Sequence, residues 1–217
     1  MGIEYYATFA PVPLSRQELV FPLNVLLSEV GARLDQECAH LELAGSQFEY
    51  LPGVEFCESV EDAIRISSNW GGVEIHFGWL GRSCSVLLWN DVPGRTTVVF
   101  SEPGVLFEKH LQDPASLTSL VGVLLRFVGL LGAGFCVFEP GSTFRSRHRQ
   151  EILDWLRDVQ EGRPSDWAMV IVSAREIPED AVTETIRRKL FFKVIPERGV
   201  WILSTVGTVE WKEKKAD

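Results

Sequence analysis

The stretch 72–101 constrains the fold of this chain more than any other. Apolar residues occupy every second position over 73–79, with polar residues or glycine between them, which is typical of a strand with one buried face. Glycine and proline turn signals then lead into two further strand-like runs, 83–90 and 96–101. Because tight turns join antiparallel neighbours, the pattern predicts a three-stranded antiparallel meander.

Helical periodicity and end signals predict the remaining elements. Asp113 precedes Pro114 as an N-cap, and Gly132 marks a C-terminal end, so a helix is predicted over 114–131. The same signals predict helices over 22–34, 59–70, 148–161 and 178–190, and strands over 3–9, 39–44, 47–51, 135–138, 169–172, 191–195 and 200–205.

Strands and helices are mixed without strict alternation, and several strands are joined by tight turns. This favours an α+β fold with a largely antiparallel sheet, including the meander, packed against four or five helices. With 217 residues, 46% of them hydrophobic, the chain is long enough to bury a sizeable core as one domain over 1–217. An arrangement in two lobes would place the seam near 102–113.

The formal charge of −9 arises in the first 62 residues. There, eleven carboxylates face only Arg16 and Arg33, whereas the other residues carry 19 acids and 19 bases. Negative charge gathered on one stretch attracts cations or a basic partner and repels nucleic acid. We therefore expect a basic protein partner and no nucleic-acid partner.

One segment is apolar enough to suggest a membrane. Leu117 to Phe138 contains Arg126 as its only charge, and about 20 apolar residues can span a bilayer. The predicted helix, however, has an apolar face and a face of small and polar residues, which suits a core helix lying on a sheet. The interpretation is a core helix without membrane contact. Because no basic segment followed by an apolar one opens the sequence, a cytoplasmic location is expected.

The acidic residues of the first third surround apolar ones. Carboxylates around apolar anchors resemble an interface that steers a basic partner and then desolvates aromatic contacts. The alternative is a solvated face that aids solubility. The candidate partner-binding residues are Asp35, Glu37, Glu42, Glu49, Glu55, Phe56 and Glu58, with Phe48, Tyr50, Leu51 and Val54 as further apolar residues of this stretch.

Glu74 and His76 are the candidates for catalysis. They lie two positions apart on one face of the predicted strand, where a carboxylate can orient and charge an imidazole for general acid-base work. A solvent-facing polar stripe on an amphipathic strand shows the same residues.

Arg145, Arg147 and Arg149 form the densest cationic cluster. They precede or open a predicted helix, where backbone N–H groups can help to hold a phosphate or carboxylate. A solvated helix start, or an internal partner for the acidic first third, explains the cluster equally well.

Cofactor and metal signatures are absent from the sequence. The four cysteines lie far apart without a C-x-x-C pair, and the four histidines show no metal-binding spacing, so we expect reduced, buried thiols, no metal and no cofactor. No phosphate-loop, dinucleotide or hydrolase-elbow motif occurs.

The first functional hypothesis is a non-enzymatic, acidic binding protein of the inhibitor or immunity type, which masks a basic protein partner. The alternative is a small hydrolase or transferase acting on an anionic substrate, with the arginine cluster binding charge and His76 or Glu74 as base. A structural or oligomer-forming domain stays open as a third hypothesis.

Overall fold

A computed structural model describes residues 4–44, 47–90, 93–141, 146–164 and 166–206. Ten strands are formed by these residues, including the predicted meander, which is β4 to β6. The strands are β1 (Glu4–Phe9), β2 (Arg33–Ala44), β3 (Gln47–Phe56), β4 (Gly72–Trp79), β5 (Arg82–Trp89), β6 (Thr97–Pro103), β7 (Phe135–Pro140), β8 (Met169–Ser173), β9 (Phe191–Ile195) and β10 (Val200–Ser204).

All ten strands belong to one antiparallel sheet, in the order β3-β2-β4-β5-β6-β1-β7-β8-β10-β9. The first strand of the chain lies in the middle, between β6 and β7. The sheet therefore runs without a break from the acidic first third to the last hairpin. The outermost strands are β3 and β9.

The described helices lie on both faces of the sheet. Four of them, α1 to α4, share one apolar core with the sheet, and α5 and α6 cover the opposite face at β7, β8 and β10. This arrangement confirms the predicted α+β fold. The helices are α1 (Val20–Glu29), α2 (Val60–Ile66), α3 (Gly104–Gln112), α4 (Pro114–Leu131), α5 (Arg149–Glu161) and α6 (Glu184–Lys189).

Helix α4 has the predicted bounds. The Asp113 carboxylate accepts a hydrogen bond from the Ala115 N–H at 3.1 Å, and Gly132 ends the helix in the left-handed conformation. This helix is long and apolar enough to cross a membrane. In the structure it lies on the sheet, where the Phe127 ring stacks on Phe9 and contacts Phe100. It is a core helix.

On one face of the sheet, the part formed by β2, β4, β5, β6 and β1 has a buried apolar cluster to which no described helix contributes. Tyr6, Leu41, Leu87, Trp89 and Val99 form a small apolar cluster there. They lie on the face opposite α1 to α4, on strands to one side of β7. Glu74 and His76, the candidate catalytic pair, belong to the same face, since Glu74 lies opposite Leu87.

Two predicted helices have different bounds. The 22–34 helix begins earlier and ends at Glu29, since Gly31 has a φ of +68° and the chain then enters β2. The 178–190 helix is two pieces, a short 3₁₀ turn and α6, because the Thr183 hydroxyl accepts the Ile186 N–H and starts a new helix.

One predicted pair of strands is longer than expected. The strands predicted over 39–44 and 47–51 are the long strands β2 and β3, whose pairing extends both. The segment 102–113 contains the end of β6 and the whole of α3, a helix that the sequence patterns do not predict. All four cysteines are buried free thiols, as predicted.

Candidate functional site

The outermost strand β3 exposes large apolar side chains. Tyr50 is 47% exposed, Leu51 41%, Val54 56% and Phe56 62%. The strand pairs with β2 on one side and ends the sheet on the other. A long edge strand with apolar side chains is a ready site for another chain to bind.

The β2–β3 pair contains a bulge that sets the shape of this edge. The pairing shifts between Ala39 and Leu41, where Pro52 and Gly53 lie on β3. Gly53 has a φ of +101°, a conformation that glycine adopts without strain. A bulge and a proline at an edge interrupt pairing with another strand locally. The outer edge of β3 is thus interrupted at Pro52 and Gly53, and only the stretches on either side of them can pair.

Four of the predicted partner-binding carboxylates lie near the start of β2 or near the end of β3. Asp35 and Glu37 lie on β2, Glu55 on β3 and Glu58 just before α2, and all four are exposed. Glu37 lies directly opposite Phe56 across the strand pair. We call Asp35, Glu37, Glu55, Phe56 and Glu58 the acidic edge.

The charge of the acidic edge is not neutralised by described residues. None of its four carboxylates has an arginine, lysine or histidine within ion-pair distance among these residues. Asp35 accepts a hydrogen bond from Ser83 at 3.4 Å. Elsewhere in the first third, arginines from later positions do pair with carboxylates, Arg126 with Glu29 and Arg65 with Asp62.

The carboxylates near the end of β3 contribute to raising the pKa values of two buried thiols. The pKa of Cys38 is raised to about 12, first by burial, then by the neighbouring Cys57 thiol and by the carboxylates of Glu55 and Asp62. The pKa of Cys57 is also raised, again chiefly by burial, with Asp62 and Glu37 contributing. Both thiols are therefore poor nucleophiles.

Glu42 and Glu49 lie apart from the acidic edge. They face each other across β2 and β3 toward the other end of the pair. Glu42 contacts the imidazole of His40 at 2.6 Å. The structure thus places Glu37 opposite Phe56, with Glu55 and Glu58 near Phe56 in the chain, whereas the Asp35 carboxylate lies toward Ser83 on β5 and Glu42 and Glu49 lie elsewhere on the strand pair. The side chain of Phe48 lies outside the described part of the chain.

The candidate catalytic pair lies on the sheet face opposite α1 to α4, beside the small apolar cluster of Leu87 and Val99. His76 Nε2 is 3.7 Å from Glu74 Oε2, and the hydroxyl of Tyr50 also hydrogen-bonds Glu74. The pKa of Tyr50 is raised by burial and then by the Glu74 carboxylate. Glu74 therefore joins the edge strand β3 to β4, the third strand from that edge.

The cross-strand register extends this pair into a polar row. His76 lies opposite Ser85, which lies opposite Ser101, and the row continues over β1 and β7. Ser85 and Ser101 are buried. The row ends with Tyr6 opposite both Ser101 and Glu139. The pair is therefore part of a row of polar side chains that crosses five strands.

The arginine cluster is divided between different roles. Arg145 lies outside the described residues. Arg147 is buried, binds Glu139 through its Nε at 3.0 Å and through a second nitrogen, and binds Glu151 at 3.0 Å. Its charge is thus neutralised inside the protein. The Glu151 carboxylate also accepts the His148 N–H at 2.8 Å, so it occupies the start of α5.

Arg149 remains exposed and lines a shallow groove of about 360 Å³ with Arg95, Arg147 and His148. Two other grooves are lined by described residues, one of about 950 Å³ at the C-terminal end of α4 and one of about 590 Å³ beside α3. His76 lines none of these three grooves. The structure does not bring His76 and Arg147 together in them.

A buried polar chain was not predicted from the sequence. The Ser116 hydroxyl lies 2.7 Å from His110 Nδ1, and His110 Nε2 lies 3.2 Å from Glu102 Oε2. This order of groups resembles a proton relay, but Ser116 lines none of the three grooves. The sequence offers no signal for it, because the three residues are neither evenly spaced nor part of a motif.

The described residues contain no group of three or more His, Cys, Asp or Glu side chains that could hold a metal ion. No family model, curated protein or solved structure matches this chain. The acidic edge is the feature of the described surface that combines exposed apolar area with charge that has no internal partner. It is the candidate functional site.

Proposed function

We propose that this chain is a non-enzymatic binding protein of the inhibitor or immunity type, which uses the acidic edge to mask a basic protein partner in the cytoplasm. The observation that supports the proposal is Phe56, 62% exposed on the outermost described strand, with Glu37 directly opposite it on β2 and Glu55 and Glu58 close to it in the chain. None of these three carboxylates has an ion-pair partner among the described residues. Binding would desolvate the ring and neutralise the charges in one step.

Each part of the acidic edge has a different physical effect on association. The carboxylates accelerate the encounter with a positively charged surface, an effect that salt screens over about 8 Å at physiological ionic strength. Burial of apolar area stabilises the complex once it has formed, by about 25 cal/mol per Å². The entropy lost when two molecules and their side chains are ordered is subtracted from this gain. Aromatic residues at the centre of an interface contribute most of the binding energy.

The hydrolase or transferase hypothesis gains no comparable support. It needs His76 and the arginine cluster at one substrate site, whereas Arg147 pairs with Glu139 and Glu151. His76 lies four strands from β7 in the sheet order. We therefore do not propose it as a second function.

The test is affinity capture from native cell extract at low salt, with three forms of the protein. One is the wild type, and one is the edge variant Glu37→Lys, Glu55→Lys, Glu58→Lys. The third is a control variant, Asp166→Lys, Asp180→Lys, Glu197→Lys, which makes the same change of charge at exposed positions elsewhere. We expect wild type and control to recover one basic protein in equal amount and the edge variant to lose it.

The recovered partner is then mixed with each form in stopped flow over a range of salt. Steering predicts an association rate that falls as salt rises for wild type and control, and a slow, weakly salt-dependent rate for the edge variant. Equal recovery by all three forms, or association insensitive to salt, would contradict the proposal.

A further inference from the structure

The outer edge of β3 has the geometry that accepts another strand. The strand is ten residues long, and among the described residues it pairs with β2 alone, on one side. Backbone N–H and C=O groups of a strand point alternately to its two sides, so every second residue of β3 directs them away from the sheet. An extended peptide can bind such an edge through main-chain hydrogen bonds.

The two faces of β3 differ in chemistry. Tyr50 lies opposite Leu41 and Val54 opposite Ala39, so both project on one face of the sheet. Glu49 lies opposite Glu42 and Glu55 opposite Cys38, so both project on the other. A strand added to β3 would continue these faces, placing its own alternate side chains beside apolar residues and beside carboxylates.

We propose that the partner contributes an extended segment of alternating basic and apolar residues, which pairs with β3 as an additional strand of the sheet. This rests on the proposed function and specifies how the acidic edge is used. Its basic side chains lie beside Glu49 and Glu55, and its apolar side chains lie beside Tyr50, Val54 and Phe56.

The bulge divides the pairing into two stretches. Pro52 has no N–H to donate, and Gly53 departs from the extended conformation. The stretch that begins at Val54 contains Glu55 and Phe56 of the acidic edge, and it holds the incoming strand most firmly because its carboxylate there meets basic side chains of opposite charge. The stretch around Tyr50 adds apolar contact.

The experiment uses a synthetic peptide of alternating lysine and valine, five of each, with a fluorescein at one end. Binding is measured by fluorescence anisotropy at low salt. We expect saturable binding to wild type and to the control variant, and binding at least tenfold weaker to the edge variant. A peptide of equal composition with the lysines in one block should also bind at least tenfold more weakly.

Backbone methylation separates strand addition from simple attraction of charge. One peptide has its lysine amides N-methylated and another has its valine amides N-methylated. Since only one of the two sets faces β3, we expect one modified peptide to lose binding and the other to stay within about threefold of the parent. Equal affinities for the two modified peptides would overturn the inference.

The two proposals fail in different ways. If the methylated peptides bind alike while the edge variant still loses the basic partner in the capture experiment, strand addition is wrong and the proposed function stands. If capture of the partner is unchanged in the edge variant, the proposed function itself is wrong. No binding of the alternating peptide to wild type also overturns the strand inference.

Discussion

His110 Nε2 lies 3.2 Å from Glu102 Oε2, and both side chains are fully buried. Glu102 is on β6 and His110 is on α3, and Ser116 extends the contact to α4. The other carboxyl oxygen of Glu102 has no hydrogen-bond partner among the described residues. This chain of polar groups joins the sheet to two helices inside an otherwise apolar core.

Burial raises the pKa of Glu102, and its hydrogen bond with His110 opposes the shift only in part. A carboxyl whose pKa is raised on folding contributes stability below its unfolded pKa of about 4.5, and this contribution is lost as pH rises through the folded value. We expect the free energy of unfolding of wild type, relative to Glu102→Gln, to fall as pH rises from 4 to 8. Each unit of raised pKa corresponds to about 1.4 kcal/mol. Urea unfolding across this range is the measurement, and a difference that does not change with pH would contradict it.

Arg147→Met should be strongly destabilising, because it leaves Glu139 as a buried carboxylate without its cationic partner. Breaking such a pair from one side typically costs about 3–5 kcal/mol. Arg149→Met is the matched control, since Arg149 is exposed, and it should change stability by less than about 0.5 kcal/mol. Guanidinium unfolding of both variants tests this. The double variant Glu139→Gln, Arg147→Met should recover part of the loss; equal stabilities of the two single variants would show that Arg147 is not a structural residue.

Gly72→Ala and Gly129→Ala should change stability in opposite directions. A Cβ at Gly72 would lie 2.9 Å from the Leu88 carbonyl oxygen and 3.0 Å from the Trp89 Cβ, and overpacking of this kind costs about 1–3 kcal/mol. A Cβ at Gly129 meets nothing within 4 Å, and replacing glycine by alanine inside a helix stabilises by about 0.5–1 kcal/mol. Thermal unfolding by calorimetry measures both, and a stabilised Gly72→Ala would refute the packing described at β4.

Phe56→Ala should leave the fold intact and weaken binding of the partner. The ring is mostly exposed, so the expected change in stability is within about 0.5 kcal/mol. An aromatic residue at the centre of an interface costs about 1 kcal/mol or more when truncated, which is about fivefold in affinity or beyond. Phe21→Ala is a suitable control, because Phe21 is 73% exposed on α1. Equal binding by Phe56→Ala and wild type, measured by calorimetric titration with the recovered partner, would place the interface elsewhere.

Local signals in the sequence are sufficient to predict α4 and the meander. Asp113 and Pro114 mark the start of α4 and Gly132 marks its end. Alternation of apolar and polar residues, together with tight turns, predicts β4 to β6. Helix α3 was missed because Pro103 stands at its start without a side-chain cap and its apolar residues do not form a long repeat. The full length of β2 and β3 could not be predicted either, since it depends on pairing between strands that the turn signals do not report.

The candidate site shows the same division. The order of residues in the sequence alone determined that negative charge gathers in the first third and that Phe56 lies close to carboxylates along the chain. Only the tertiary structure decided that Glu37 and Phe56 meet across an edge, that Arg147 is neutralised by Glu139, and that Glu102 and His110 share the core. Capping, turns and periodicity act over a few residues and can be recognised in the sequence, whereas charge pairing and burial are set by distances between strands and helices that only the folded chain brings together.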